Sequence, residues 1–415
     1  MNAIWVWTIA VATIAGVLIR PRRLPEAIWA CLGAALLVVT GLLPLSGAAS
    51  GVAKGIDVYL FLTGMMLLAE LARREGVFDW LASLAVRAAR GSRARLFTLV
   101  YLVGTLVTVF LSNDATAVVL TPAVYAAVKK ARVTALPYLF ACAFIANAAS
   151  FVLPISNPAN LVVYGKSLPA LLPWLRLFLL PSVLSIVVTY AVLRFVSRRD
   201  LEGDVEPVET AMLTAEARWA VWSIMTTGVI LIAVSSLGLN LGTATCVCAI
   251  SATLTATRLN RGKVQAIISG VAWSVLPLVA GLFVLVEALD GVGALQDVGS
   301  VLKRLAHLPP IAASLSGSFA VAALSNVMNN LPSGLLAGGA LRTVQVPGYL
   351  PPAVLIGVDL GPNLSVTGSL ATILWLIALR REGEHVSGWK FLKTGALVML
   401  PTLFPAALLI SWTAR

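Results

Sequence analysis

The sequence predicts an all-α polytopic membrane protein: ten transmembrane helices plus two re-entrant hairpins in two inverted-topology repeats, with a broken helix in each repeat. Three observations predict this class. The 415 residues are 59% hydrophobic and 12% charged, with a mean hydropathy of +0.93, more apolar than a water-soluble core of this size requires. Apolar runs long enough to cross about 30 Å of hydrocarbon recur along the whole chain. Similar polar motifs interrupt the apolar sequence in each half.

Ten apolar runs predict the membrane spans. They lie at residues 3–19, 27–45, 56–72, 136–166, 171–195, 219–236, 240–257, 271–289, 349–380 and 391–413. The first run carries its arginines after it, so we interpret it as a retained span and not as a signal peptide. The formal charge of +12 comes from basic residues at the ends of spans, which argues for membrane topology and against nucleic-acid binding.

Two further apolar regions, 96–128 and 309–341, are interrupted near their middles by polar residues. Basic residues flank the first region on both sides, so the positive-inside rule places both of its ends on one face of the membrane. Its arms, 96–111 and 115–128, are each about 20–24 Å long as helices, which is short of a comfortable crossing. Both regions therefore predict re-entrant hairpins, the first with its turn at residues 112–114.

The positions of lysine and arginine also predict the orientation. With the N- and C-termini outside, most of the 30 basic residues fall in cytoplasmic loops, and the opposite orientation reverses this bias.

The two halves resemble each other in sequence. Leu111-Ser112-Asn113 recurs as Leu324-Ser325-Asn326, and Glu70 and Glu287 each end a third span. Five spans in each half is an odd number, so the second copy must be inserted upside down, as in many secondary transporters. The predicted units are a first repeat at 1–195, a cytoplasmic linker at 196–218 and a second repeat at 219–415.

The two long runs 136–166 and 349–380 exceed one straight span, and each contains a break. Proline, glycine and polar residues occupy 154–160 in the first and 361–368 in the second. Such breaks free backbone groups that lipid cannot satisfy, so they must face protein or a wet cavity. We expect two hairpin tips and two broken helices to converge on one polar centre.

Asp114 and Asp359 are the acidic residues that the sequence places at membrane depth. An ionised carboxylate there is costly when it is alone, so both are expected to bind and release protons, which suits proton coupling. The alternatives are structural: Asp114 as a cap of the second hairpin arm, and Asp359 as a residue that supports a Gly-Pro break. Glu70 and Glu287 are candidate relay or gating groups, although placement at a lipid interface or in a loop is favoured for both.

Neutral polar residues surround the two acids in the sequence motifs and form the predicted substrate-binding set. The set comprises Ser112, Asn113, Thr116, Asn147, Ser156, Asn157, Asn160, Ser325, Asn326, Asn329, Asn330, Asn363, Thr367 and Ser369. It contains no lysine or arginine, whereas a polyanionic substrate favours a fixed cation and a neutral polyhydroxyl solute needs only hydrogen-bond partners. Helix N-termini at the tips would still favour a small anion. About half of these side chains are expected only to satisfy broken backbone.

No metal site is predicted. Cys246 and Cys248 lie two residues apart, so on a helix their side chains point about 200° away from each other and cannot chelate one ion.

Three motifs carry a resemblance to a known family. They are FLSNDATAVVLTP at 110–122, SNVMNNLP at 325–332 and DLGPNLSVTGSLATILW at 359–375. They resemble the ArsB arsenite permeases of the ion-transporter superfamily, which also includes NhaD sodium/proton antiporters and sodium-coupled dicarboxylate transporters. The resemblance extends nearly end to end.

The resemblance implies efflux of trivalent arsenite and antimonite, as neutral trihydroxides, in exchange for protons across a bacterial cytoplasmic (inner) membrane, conferring metalloid resistance. It also implies paired hairpins, elevator-like movement and, in some members, an ArsA-type ATPase docked on the cytoplasmic side of a monomer or homodimer. No cofactor is implied, since a proton gradient supplies the energy. One departure is Asn147, where the family pattern often has Asp, so Asp114 and Asp359 become the expected proton-coupling pair.

Other functions remain as alternatives. Sodium- or proton-coupled transport of a small anion, or sodium/proton antiport, is the alternative within the superfamily, with the Ser-Asn hairpins as sodium ligands. A passive channel would need a continuous wet path, which paired hairpins disfavour. An intramembrane enzyme is disfavoured because the sequence shows no zinc or nucleophile constellation.

Overall fold

A computed structural model describes residues 2–206 and 212–414, and within these ranges the chain is helical, with one isolated β-bridge between Ser92 and Asp204. The first half contains α1 (Asn2–Ile19), α2 (Glu26–Val39), α3 (Leu45–Lys54), α4 (Ile56–Arg74), α5 (Val77–Ala88), α6 (Arg93–Leu111), α7 (Asn113–Ala115), α8 (Thr121–Lys130), α9 (Leu136–Ala148), α10 (Pro158–Tyr164) and α11 (Leu171–Val196). The second half contains α12 (Ala215–Ser236), α13 (Leu241–Ala256), α14 (Arg261–Gly270), α15 (Val275–Gly291), α16 (Ala294–Ala306), α17 (Pro310–Met328), α18 (Asn330–Thr343), α19 (Leu350–Leu360), α20 (Leu370–Arg381) and α21 (Gly388–Thr413). A π-helical segment, Thr116–Leu120, joins α7 to α8.

The described helices agree with a multi-pass membrane protein. Helices α1, α6, α11, α12, α17 and α21 are long and apolar enough to cross a membrane. Two bent pairs raise the total from six to eight spans: α3 with α4 at 49° and α14 with α15 at 43°. Helices α2, α9 and α13 are apolar but shorter. The all-helical membrane class is confirmed, while the count of ten spans stays a prediction.

Two regions differ from the sequence prediction. The span predicted at 27–45 is wrong at its end, because α2 stops at Val39 and 45–54 forms the separate helix α3. Gly41 adopts a φ of 72° and Pro44 is extended, so the chain breaks between the two helices. Helix α14 occupies a region interpreted as a loop, and its start is fixed by Asn260, whose side chain accepts a hydrogen bond from the Lys263 N–H at 3.1 Å.

Corresponding features of the two halves are separated by the same distance along the sequence. Gly76 and Gly293 both adopt positive φ, 72° and 88°, immediately before α5 and α16. Helices α6 and α17 have the same length of 19 residues, and α11 and α21 have the same length of 26. The first residues of each helix pair are as far apart in sequence as the two glycines are. The halves are therefore built from the same series of elements.

Glycines allow helices of one half to contact helices of the other through their backbones, and we call α2, α4, α13 and α15, which make these contacts, the scaffold helices. A Cβ atom on Gly64 of α4 would lie 2.6 Å from the carbonyl oxygen of Thr245 on α13. A Cβ atom on Gly281 of α15 would lie 2.7 Å from the carbonyl carbon of Ala30 on α2. Small residues at helix crossings allow this close packing in lipid, where apolar burial alone gives little association.

Substitution of Gly64 by Ala tests this contact. We expect the free energy of unfolding to fall by about 1–3 kcal/mol, because the added methyl group meets a backbone oxygen that cannot rotate away. The measurement is the midpoint of thermal unfolding in detergent. Gly388→Ala is the matched control, since a Cβ atom there has no atom within 4 Å. Equal midpoints for the two variants would contradict the expected clash.

Candidate functional site

One small cavity lies where the two predicted hairpins and the two broken helices meet. It is lined by Leu62, Asn113, Asp114, Asn157, Pro158, Val275, Asn330, Leu331, Leu370 and Ala371. Leu62 and Val275 come from the scaffold helices α4 and α15, and the other residues come in pairs from the starts of four helical segments. Residues far apart in sequence therefore form a single polar centre.

The two hairpin tips both combine a positive φ with an extended ψ. Ser112 adopts φ 115° and ψ 161°, and Asn329 adopts φ 77° and ψ 155°, a region that residues with a Cβ atom seldom occupy. Behind the first tip the hydroxyl oxygens of Thr108 and Thr116 lie 2.8 Å apart, and behind the second those of Ser325 and Ser333 lie 2.7 Å apart. These hydroxyl pairs tie the two arms of each hairpin together.

The structure corrects the sequence register between the hairpins. The repeated Leu-Ser-Asn sequence aligns Ser112 with Ser325, but the turn of the second hairpin is at Asn329, four residues later. Ser325 and Asn326 therefore lie one helical turn before the tip, and Ser112 corresponds to Asn329. Thr108 and Ser333 were absent from the predicted set. The signal that could have identified them was the constant sequence separation between Glu70 and Glu287, which also relates Thr108 to Ser325 and Thr116 to Ser333.

In the first broken helix, side chains satisfy the interrupted backbone. Asn160 donates through Nδ2 to the carbonyl oxygens of Ser150 at 2.9 Å, Leu153 at 3.3 Å and Pro154 at 3.2 Å. Ser156 donates to the carbonyl oxygen of Val109 at 3.1 Å, which connects this break to the first hairpin. Asn160 and Ser156 thus serve the backbone, and neither of them lines the cavity.

In the second break, polar side chains connect to the second hairpin. Asn326 donates through Nδ2 to the Gly361 carbonyl oxygen at 2.8 Å, and its Oδ1 accepts from the Ser365 hydroxyl at 2.6 Å. Thr367 donates to the Asn326 carbonyl oxygen at 3.1 Å. Ser369 accepts from the N–H of Thr372 and so caps α20. These contacts hold the break against the hairpin.

Asp359 is fully buried behind the cavity. Its Oδ1 accepts a hydrogen bond from Nδ2 of Asn157 at 2.8 Å, and its Oδ2 has no hydrogen-bond partner in the described chain. Asn157 lines the cavity and also accepts the Ala159 N–H at 3.0 Å, which caps α10. A single amide therefore connects the cavity to the buried carboxyl group. An isolated buried carboxylate of this kind is stabilised by protonation.

Asp114 is half-buried and lines the cavity directly. No backbone N–H within 2–206 or 212–414 donates to its side chain, and Ser112 occupies the N-cap position of this arm. The geometry therefore gives no support to the capping alternative for Asp114. Its carboxylate lies in the first turn of a helical arm, where the helix dipole favours a negative charge.

Asn147 and Asp359 occupy equivalent places, each one residue before the end of the first half of its broken helix. Asn147 donates through Nδ2 to Oδ1 of Asn363 at 3.0 Å, across the two halves of the chain. Asn363 in turn donates to the Phe144 carbonyl oxygen at 3.4 Å. Where the second half carries the carboxyl group of Asp359, the first half carries the neutral amide of Asn147.

Glu70 and Glu287 do not line the cavity. Glu70 is buried and accepts from Arg73 at 2.6 Å and Arg74 at 2.7 Å, and Glu287 pairs with Lys54 at 2.5 Å. Both acids lie near the ends of their helices, α4 and α15, at equivalent positions of the two halves. A relay role for them stays a prediction.

The cavity is narrow around its polar groups. Its volume is about 10 Å³, enough for roughly one water molecule. A larger cargo needs more space than the lining residues leave here.

A small polar cavity inside a bundle of membrane helices, formed by chain reversals and broken helices, defines the class: a multi-pass membrane transporter. The family follows from comparison. Residues 4–358 match the family described as "CitMHS: Citrate transporter", and the chain belongs to that family.

Two relatives agree with this assignment. The chain is 29% identical over 415 residues to the "Arsenical pump membrane protein" of Escherichia coli (strain K12), with 95% of each chain covered. It is 28% identical to the protein of the same name in Yersinia enterocolitica, with 82% of each covered. The resemblance to arsenite permeases is confirmed.

Two solved transporters share the fold. The Alcanivorax borkumensis YdaH transporter superposes with a TM-score of 0.56 at 15% identity, covering 89% of this chain and 87% of its own. Neisseria gonorrhoeae MtrF superposes with a TM-score of 0.52 at 13% identity, covering 88% and 83%. At this identity the likeness supports the membrane transporter fold alone.

Proposed function

We propose that the protein exports trivalent arsenite and antimonite from the cytoplasm, as neutral trihydroxides, in exchange for protons, and so confers metalloid resistance. One observation carries the proposal. The small cavity presents the Asp114 carboxyl group and the amides of Asn113, Asn157 and Asn330, with no lysine or arginine among its lining residues. Hydrogen-bond donors and acceptors of this kind suit a small uncharged polyhydroxyl cargo.

Proton exchange follows from the two carboxyl groups. Asp114 is in the cavity, and Asp359 is one hydrogen bond behind it through Asn157. A cargo hydroxyl that binds Asn157 competes for the amide that supports Asp359, so cargo binding and the protonation of Asp359 are linked. We infer that the cargo leaves as these carboxyl groups take up protons from the outer side.

The proposed architecture keeps ten crossings and two re-entrant hairpins. The constant sequence separation between equivalent elements supports two repeats, and an odd number of crossings in each makes them inverted in the membrane. In the proposed orientation both termini lie on the outer side of the bacterial inner membrane. An ArsA-type ATPase would dock on the cytoplasmic loops of a monomer or homodimer. Because the cavity is too small for a trihydroxide, opening requires movement of the hairpins against the scaffold.

Transport in everted membrane vesicles tests the proposal. Vesicles from a host without its own arsenite exporter, expressing the full chain, should accumulate labelled arsenite when their lumen is acidified. A proton ionophore should abolish the accumulation, because the gradient supplies the energy. Accumulation that ignores the ionophore would contradict proton coupling, and the absence of any accumulation would contradict the cargo.

One observation favours a second candidate, sodium- or proton-coupled transport of a small anion. Asn113, Pro158, Asn330 and Leu370 line the cavity, and each is the first residue of its helical segment. Four positive helix ends therefore point toward one place, an arrangement that attracts anions. Transport of labelled citrate, measured with sodium and again with choline in its place, separates the two candidates. Citrate transport that depends on sodium would favour the anion transporter. If the vesicles transport neither arsenite nor citrate, sodium/proton antiport is measured in the same vesicles.

A further inference from the structure

A second, basic cavity lies at the corner between α5 and α6 and shares no lining residue with the transport site. It is open, has a volume of about 590 Å³, and is lined by Leu84, Arg87, Ala88, Arg90 and Arg95. The three arginines are exposed. None of them forms a salt bridge within residues 2–206 and 212–414. Three guanidinium groups therefore face one cavity without a protein anion to neutralise them.

The corner that carries these arginines is held in place by the linker between the halves. Arg90 adopts a positive φ of 47°, and the next residue, Gly91, accepts a hydrogen bond from the Val205 N–H at 2.8 Å. The neighbouring Arg93 donates to the carbonyl oxygen of Glu202 at 3.1 Å. The linker thus occupies Arg93 and fixes the turn, and it leaves the other three guanidinium groups free to contact a ligand.

We propose that this cavity binds the phosphate group of an anionic membrane phospholipid. Guanidinium groups bind phosphate oxygens through paired, charge-assisted hydrogen bonds, and basic pockets beside membrane helices suit lipid headgroups. Arg95 lies at the start of α6, an apolar helix of 19 residues long enough to cross the membrane. Its side chain is therefore near the level at which a headgroup meets hydrocarbon.

The surface beside the cavity favours a lipid over free phosphate. Leu102 and Leu106 of α6 are 51% and 58% exposed, and they follow Arg95 by seven and eleven residues, which places all three on one face of the helix. Leu84 and Ala88 add apolar surface to the cavity itself. An acyl chain could lie along the exposed leucines while its phosphate contacts the arginines, whereas free phosphate would make no use of this apolar surface.

The experiment is a lipid titration of the full chain. Detergent-purified protein is titrated with phosphatidylglycerol and with phosphatidylcholine of the same acyl chains, and bound lipid is counted by native mass spectrometry. The wild-type protein should retain phosphatidylglycerol preferentially. The triple variant Arg87→Gln, Arg90→Gln, Arg95→Gln should bind it roughly 100-fold more weakly, from about a fivefold loss for each arginine. Arg95→Gln alone should show about a fivefold loss.

The matched control removes the same charge elsewhere. Arg380, Arg381 and Lys390 are exposed and line neither cavity, so their triple glutamine variant should retain phosphatidylglycerol like the wild type. Equal loss in both triple variants would overturn the site, because general charge attraction would then explain the binding. Displacement of the lipid by inorganic phosphate at equal concentration would assign the cavity to free phosphate and overturn the lipid assignment.

Discussion

Replacement of Asp359 by Asn is expected to abolish proton-driven arsenite accumulation, leaving at most the background of vesicles without the protein. The change removes the only titratable group of this residue and preserves its one hydrogen bond. An asparagine Oδ1 can still accept from Asn157, as Asp359 Oδ1 does at 2.8 Å, and the amide nitrogen takes the place of Oδ2, which has no partner in the described chain. The fold should therefore persist while the proton site is lost.

The measurement is arsenite accumulation in everted vesicles, divided by the amount of protein that is inserted in the membrane and monodisperse after extraction. Asp57→Asn is a suitable control, because Asp57 is a half-buried acid in a membrane helix that accepts from the Gly242 N–H at 2.9 Å, away from the cavity. Loss of export in Asp359→Asn with export retained in Asp57→Asn is the expected result. Normal proton-driven export by Asp359→Asn would remove this residue from the coupling mechanism.

Replacement of Asp114 by Asn should also abolish net arsenite export, in this case by a change within the cavity. Asp114 lines the cavity and caps no backbone N–H in the described chain, so the substitution changes charge and proton binding with little structural cost. If the carboxylate also binds cargo hydroxyls, loss of a charged hydrogen bond weakens cargo binding by about 10- to 100-fold. The readouts are arsenite binding to the purified variant and the dependence of uptake in vesicles on lumenal pH.

Asp79→Asn provides the control for this second variant, since Asp79 is an exposed acid on α5 and its loss changes the net charge by the same amount. Export by Asp114→Asn at the wild-type rate, with unchanged dependence on pH, would show that a neutral amide suffices at the tip. That outcome would leave Asp359 as the sole coupling carboxyl group.

Much of the site could be predicted from residue types alone. The breaks at 154–160 and 361–368 follow from proline and glycine in apolar sequence, because membrane helices tolerate such residues only where the freed backbone finds a partner. The partners are now visible: Asn160 serves the first break and Asn326 the second. The sequence could not show that Asn326 supports the backbone whereas Asn330 lines the cavity, since both are asparagines in one motif.

The hairpin register shows the same limit. The repeated Leu-Ser-Asn sequence predicts equivalent tips, but the turn forms where the backbone reverses, at Ser112 and Asn329. A repeated tripeptide shows that two segments have similar residues. It does not show where the chain turns. The contact of Asn157 with Asp359 is equally hidden, because it joins residues 202 positions apart.

The sequence by itself determined that this protein resides in a membrane, that its apolar segments are helical, and that two acids interrupt them, because hydrocarbon admits few other structures and penalises every unpaired polar group. The tertiary structure decided which polar side chains face the cavity and which satisfy backbone. It placed Asp359 behind Asn157, and it left the cavity a volume of about 10 Å³. Those outcomes depend on packing between segments that are distant in the chain. The residue preferences of each segment taken alone do not determine that packing.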